Sequence, residues 1–132
     1  MHYFNYTDII RMLHAAGASL YAQDSFDYHA INNAAAFGEL EAVETLIELG
    51  ANVDDISGYD DMSTPLMAAS AFGETRVVEY LVKMGVDLDI QDAFNMTALD
   101  YAVVHEYEDM EQILRKAATA GHANVEKTKS WQ

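Results

Sequence analysis

At 132 residues, 51% of them apolar, the chain is long enough for one domain with a real core and too apolar to stay disordered. It has no cysteine, which excludes thiol catalysis, disulfides and zinc sites built on thiolates. Its 22 acidic residues against 7 basic ones give a net charge of −15, which opposes binding to nucleic-acid backbones or anionic membranes.

In chain order, residues Met1 to Tyr6 carry neither a basic stretch nor a long apolar run, so no secretory signal is read there. No segment reaches the roughly 18 to 20 apolar residues of a membrane span, and a cytoplasmic protein is the default expectation. A helix is predicted over Thr7 to Ala16, ending at Gly17-Ala18-Ser19-Leu20. A second begins near His29 and runs through small residues to Phe37-Gly38, and a third carries Leu40, Val43, Leu46 and Ile47 on one face before Gly50-Ala51-Asn52-Val53. After Ser57 to Ser63 the order recurs. Thr64-Pro65-Leu66 opens a helix that closes at Phe72-Gly73, Val77, Val78, Leu81 and Val82 form the next apolar face, and Gly85-Val86-Asp87-Leu88 ends it. Thr97-Ala98-Leu99 then starts a helix reaching His105-Glu106, followed by Met110, Ile113, Leu114 and Ala117 at helical spacing.

The recurrence has a measurable period. His29, Thr64 and Thr97 are 35 and 33 residues apart, and Gly17, Gly50 and Gly85 are 33 and 35 apart. Thr64 suits a helix cap and Pro65 the first turn, where no amide hydrogen is required. Gly38 and Gly73 suit a tight turn, and the second glycine series suits a left-handed helix ending. The 35-residue spacing puts two extra residues between Ser57 and Ser63.

Thr64-Pro65-Leu66 to Gly73, with Gly85 to Asp89, resembles the ankyrin repeat, and the degenerate copies hold the same register over about residues 7 to 117. The resemblance implies an all-α helix-turn-helix solenoid with short hairpin-like finger loops. A half repeat over 1–23 would precede repeats over 24–56, 57–91 and 92–118, with a C-terminal tail over 119–132, mobile or pinned by Trp131. Ala118 stands where a repeat glycine would be, as fits a terminal repeat. Met1 is read as a natural start, although a half repeat also suits a fragment of a longer array.

No catalytic motif is present: no His-Glu-x-x-His, phosphate loop, Gly-x-Ser-x-Gly or dinucleotide fingerprint. No enzyme activity and no cofactor are expected. Among the scattered histidines, His29 is read as a helix-start hydrogen-bonding residue and His105 as a surface residue at a helix end. Asp54-Asp55 and Asp87-x-Asp89-x-x-Asp92 lack the spacing, central Gly and terminal Glu of a calcium loop, so they read as solvated finger carboxylates and no metal is expected.

In ankyrin-like proteins, partners meet the finger tips and the concave face of the first helices. The resemblance therefore implies partner-binding roles for Phe26, Asp27 and Tyr28, for Tyr59, Asp60, Asp61 and Met62, and for Phe94, Asn95 and Met96. Phe37, Phe72 and His105 stand in register at the ends of the first helices. Packing of Phe37 and Phe72 against their own fingers is an equal alternative, whereas Tyr59, in the insertion, is expected to be exposed. From Met12 to Thr75 there is no Lys or Arg, while eleven carboxylates occur. The charge serves either solubility or attraction of a basic protein partner. The chain reads as a non-catalytic, monomeric protein-binding module, with inhibition of a basic toxin or nuclease, as by an immunity protein, as one specific form. A scaffold or adaptor with a neutral partner remains an alternative, and a metal-dependent protein or enzyme a weaker one.

Overall fold

The structure is a computed structural model, which describes the backbone of residues 6–129 and the side chains of residues 7–120. Among the described residues there are seven helices and no strand. They are α1 (Tyr6–Ala15), α2 (Ala30–Ala36), α3 (Leu40–Glu48), α4 (Pro65–Ala71), α5 (Thr75–Lys83), α6 (Ala98–Val104) and α7 (Glu108–Lys129). The pairs α2–α3, α4–α5 and α6–α7 are helix-turn-helix units, and α1 is a lone second helix that packs on α3. Neighbouring units touch chiefly through their shorter first helices, α2 with α4 and α4 with α6, and less through α3 and α5. The close row is made possible by small residues such as Ala35, Ala69 and Ala102, none of which has exposed surface. Closer spacing of the first helices curves such a stack toward them.

The apolar stripes of the second helices turn onto this row. Val43, Leu46, Val77, Val78, Leu81, Met110 and Leu114 are all buried and join Ile31, Leu66 and Met67 in one continuous core. No unit closes over its own apolar face, so each is stabilised mainly by its neighbours.

Local chemistry sets the boundaries. Thr64 Oγ1 accepts the Met67 amide at 3.2 Å, and Pro65 occupies the first turn of α4. Thr97 and Asp100 form a reciprocal capping box on α6. His29 holds the same position on α2 but makes no side-chain cap bond, contrary to the helix-start hydrogen bond expected for it. Its Nδ1 instead meets Asp55 Oδ2 at 2.5 Å, which ties the start of α2 to the segment that follows α3. An imidazole is larger than the hydroxyl of a usual cap and here reaches sideways, where the buried Asp55 carboxylate is available.

Gly38 and Gly73 turn the chain into α3 and α5 with φ of 71° and 73°. A Cβ on Gly38 would also collide with the Glu74 carboxylate of the next unit. The equivalent turn in the last unit is held by Glu106 at φ 59°, a conformation that strains any residue with a Cβ.

Beyond Ala118 the repeat pattern ends but the helix does not. The segment over 119–129 continues α7 as helix. With Ala118 in place of the repeat glycine, nothing supplies the left-handed residue that ends the earlier second helices, and Thr119-Ala120 continues the turn. Trp131, expected to pin the tail, lies outside the described residues. No described helix is long and apolar enough to cross a membrane.

Candidate functional site: a finger row and an acidic first-helix face

The fingers are built from Asx-type turns. Asp24 Oδ1 accepts the amides of Phe26 and Tyr28, at 2.9 and 3.0 Å. Asp92 Oδ1 does the same for Phe94 and Met96, at 2.9 and 3.1 Å. In the second finger, Ser57 and Ser63 pair across the base instead, and the tip between them is two residues longer. The insertion thus lies where the repeat spacing placed it. Asp27, Met62 and Asn95 are the left-handed residues of the three tips, with φ of 68°, 51° and 62°.

The tips are laced together by backbone. Gly58 and Tyr59 donate to the carbonyls of Asp27 and Phe26 at 2.9 Å each, and Ala93 donates to the Asp61 carbonyl at 2.9 Å. Side chains reinforce the first junction: the Tyr28 hydroxyl donates to Asp61 Oδ2 at 2.5 Å. That bond, followed by burial, pushes the Tyr28 phenol up to about 12. Tyr101 donates from α6 to Asp92, and burial together with that bond holds its phenol above the ordinary tyrosine range. The Asp24 carboxyl is held below its usual value by the Asn33 amide and the Tyr28 backbone amide.

On this frame Phe26, Tyr59 and Phe94 stand 70%, 82% and 64% exposed at the three tips, beside exposed Asp60 and Asn95. Phe37 and Phe72 cap the far ends of α2 and α4 and are 74% and 65% exposed, so they do not pack against their own fingers. His105 is exposed at the same level of α6, stacked on Tyr107 at 5.5 Å. Tyr28, Asp61 and Met96 are half-buried, and Asp27 is likewise only partly accessible. The fold thus brings the finger-tip residues into one row and Phe37, Phe72 and His105 into a second.

Between the rows lies a groove of about 370 Å³ on the α2 and α4 side, bounded by Tyr28, Asp61 and Tyr101 at the finger end and by Phe37 and Phe72 at the other. Asn32 and Tyr101 line it and were not singled out from the sequence. Asn32 could have been, as a polar residue within the small apolar run that opens α2.

The charge is divided by helix row. All 7 basic residues lie on second helices: Arg11 on α1, Arg76 and Lys83 on α5, and Arg115, Lys116, Lys127 and Lys129 on α7. The first helices and fingers carry none, yet they hold Asp24, Asp27, Asp60, Asp61, Asp92 and Asp100. Arg11 and Arg115 are paired with Glu48 and Glu111 on those same second helices. The other finger carboxylates act as acceptors: Asp54 Oδ1 takes the Asp87 amide at 2.9 Å and Asp87 Oδ1 the Asp89 amide at 2.9 Å. Among the described residues, no three His, Asp or Glu stand together as a metal site would need.

The repeated helix-turn-helix units, laced fingers and exposed first-helix face agree with comparison to known families, in which a model of ankyrin repeats in three copies matches residues 1–92 and 33–127. The chain belongs to the ankyrin-repeat family. Ankyrin repeats are generally protein–protein interaction modules and typically not enzymes. Comparison with curated proteins gives no significant match.

Proposed function

We propose that this ankyrin-repeat chain binds a basic protein partner through its finger tips and first-helix face. The carrying observation is the division of charge: every Lys and Arg is on a second helix, and the opposite face is acidic with exposed aromatics. Such a face steers a cationic surface toward itself, and Phe26, Tyr59, Phe72 and Phe94 then supply apolar area to bury. Laced finger backbones keep these groups in place, so little reorganisation accompanies binding. The specific form we favour is an inhibitor of immunity type that covers the active surface of a basic toxin or nuclease, its carboxylates standing where nucleic-acid phosphates would.

The test is affinity capture from lysate of the source organism at low and moderate salt, beside a bait carrying Tyr59→Ala and Asp60→Ala. Both residues are exposed, so the variant keeps the fold. The reading expects a basic protein that is retained by the native bait, weakened by salt and lost from the variant. A neutral protein held equally by both baits would overturn it and favour a scaffold or adaptor.

A further inference from the structure

We infer that the groove between α2 and α4 is a receptor for an arginine side chain of the partner. The inference rests on the proposed basic partner and narrows it to one pocket and one chemical group.

The pocket has two unlike ends. At the finger end stand Asp61 and the hydroxyls of Tyr28 and Tyr101, and at the open end stand the exposed rings of Phe37 and Phe72. Its volume of about 370 Å³ falls in the range of pockets that enclose a small ligand, and ample for one long side chain. No Lys or Arg lies on any first helix or finger, so no side-chain cation of these elements neutralises Asp61.

The lining decides the chemistry. Asn32 lines the groove and is 2% exposed. Its amide nitrogen donates to the Ser63 carbonyl at 2.7 Å, which fixes the flip, because that carbonyl can only accept. Asn32 Oδ1 is left buried without a partner, and so is Asp61 Oδ1 on the facing finger. Neither oxygen has accessible surface, so an occupant of the groove is selected by what its wall does present. A purely apolar occupant would strip water from the half-buried Asp61 carboxylate and the tyrosine hydroxyls at the finger end and return no hydrogen bond. A guanidinium carries five donors on a planar cation that also stacks on aromatic faces. An arginine entering past Phe37 and Phe72 would run its stem along the Ala36 and Ala68 walls and place its head toward Asp61. Lysine offers the charge but neither the planar fork nor the stacking.

The test is a titration of the whole chain, at low salt, with N-acetyl-arginine amide, N-acetyl-lysine amide and N-acetyl-norleucine amide, followed by the NMR signals of the Asn32 side-chain amide and the Ala68 backbone amide. We expect saturable shifts with the arginine probe and binding of the lysine and norleucine probes at least about tenfold weaker, as loss of charge-assisted hydrogen bonds requires. Asp61→Asn should abolish the preference for arginine. Because that change also touches the Tyr28 bond, Phe72→Ala serves as a second variant: its ring is exposed and outside the hydrogen-bond network, and its loss should weaken the arginine probe, while Met12→Ala, exposed on α1 away from the groove, should not. Norleucine binding as well as arginine, lysine equalling arginine, or no saturable shift would each overturn the inference. A captured partner that is basic and salt-sensitive, alongside a groove that ignores the arginine probe, removes the pocket alone. A neutral partner alongside a groove that binds the probe removes the basic-partner reading alone.

Discussion

Glu106 holds, with a side chain, the turn that Gly38 and Gly73 hold without one. Left-handed backbone disfavours a Cβ, so Glu106→Gly is expected to stabilise the chain by about 0.5–1 kcal/mol. Gly38→Ala should do the reverse by about 1–3 kcal/mol, since it adds the same strain and forces the Glu74 side chain aside. Chemical denaturation at fixed temperature checks both. A second residue-scale prediction concerns pH. The folded state holds the Tyr28 proton more tightly than the unfolded chain, with its phenol raised from 10.0 to about 12. The stabilisation from its bond to Asp61 is therefore complete below pH 10 and is lost as pH rises toward 12. Thermal melts should show the native chain more stable than Tyr28→Phe at pH 9 (about one unit below the ordinary tyrosine value), with the gap closing on the alkaline side. At this scale the sequence was only partly legible. Thr64 and Thr97 announce their caps because a hydroxyl before a small apolar run has one common use. His29 misled, because its partner Asp55 lies 26 residues away and only the folded stack brings it near.

At the scale of elements, the helices were readable wherever an apolar stripe at period 3.6 met a start or stop residue. The second helices α3 and α5 end where Gly50 and Gly85 follow, and α1 stands as the lone second helix expected of a half repeat. The end of α7 was not readable, because a helix lacking a stop signal continues and neither Gly121 nor the surrounding polarity supplied one. The position of the two-residue insertion was legible from spacing, but the backbone bonds that join Gly58 and Tyr59 to the first finger were not. Capping makes a direct prediction here. Thr64→Ala leaves the Met67 amide of the central first helix unpaired and should cost about 1 kcal/mol. Because α4 packs on both α2 and α6, that loss should appear as a lower midpoint of one transition.

For the molecule as a whole, both rows build the core and one of them carries recognition. Ile31 and Met67 on the first helices and Leu81 on a second helix are all buried, while the fingers and the exposed ends of the first helices contribute the acidic aromatic face. Leu81→Ala should cost about 2–5 kcal/mol and lower stability without altering the partner's affinity for the molecules that remain folded. Conversely, Phe72→Ala should leave the melting temperature nearly unchanged, since its ring is mostly in solvent, while weakening binding. The family and fold were legible in the sequence, because concordant repeats report a stack directly. The acidic span between Met12 and Thr75 was legible too, but its meaning was not. Only the assignment of helices to rows turns an excess of acid into a face.

The most direct test of that face is the association rate of the captured partner, measured across ionic strength for two charge-matched variants. Asp27→Asn with Asp60→Asn removes two carboxylates from the finger row, and Asn suits the left-handed position 27. Glu41→Gln with Glu79→Gln removes two from the second helices. The account predicts that only the finger variant associates more slowly at low salt and loses part of the salt dependence, with the second-helix variant close to the native chain. Equal effects from both variants, or an association rate indifferent to salt in the native chain, would contradict recognition by an acidic first-helix and finger face.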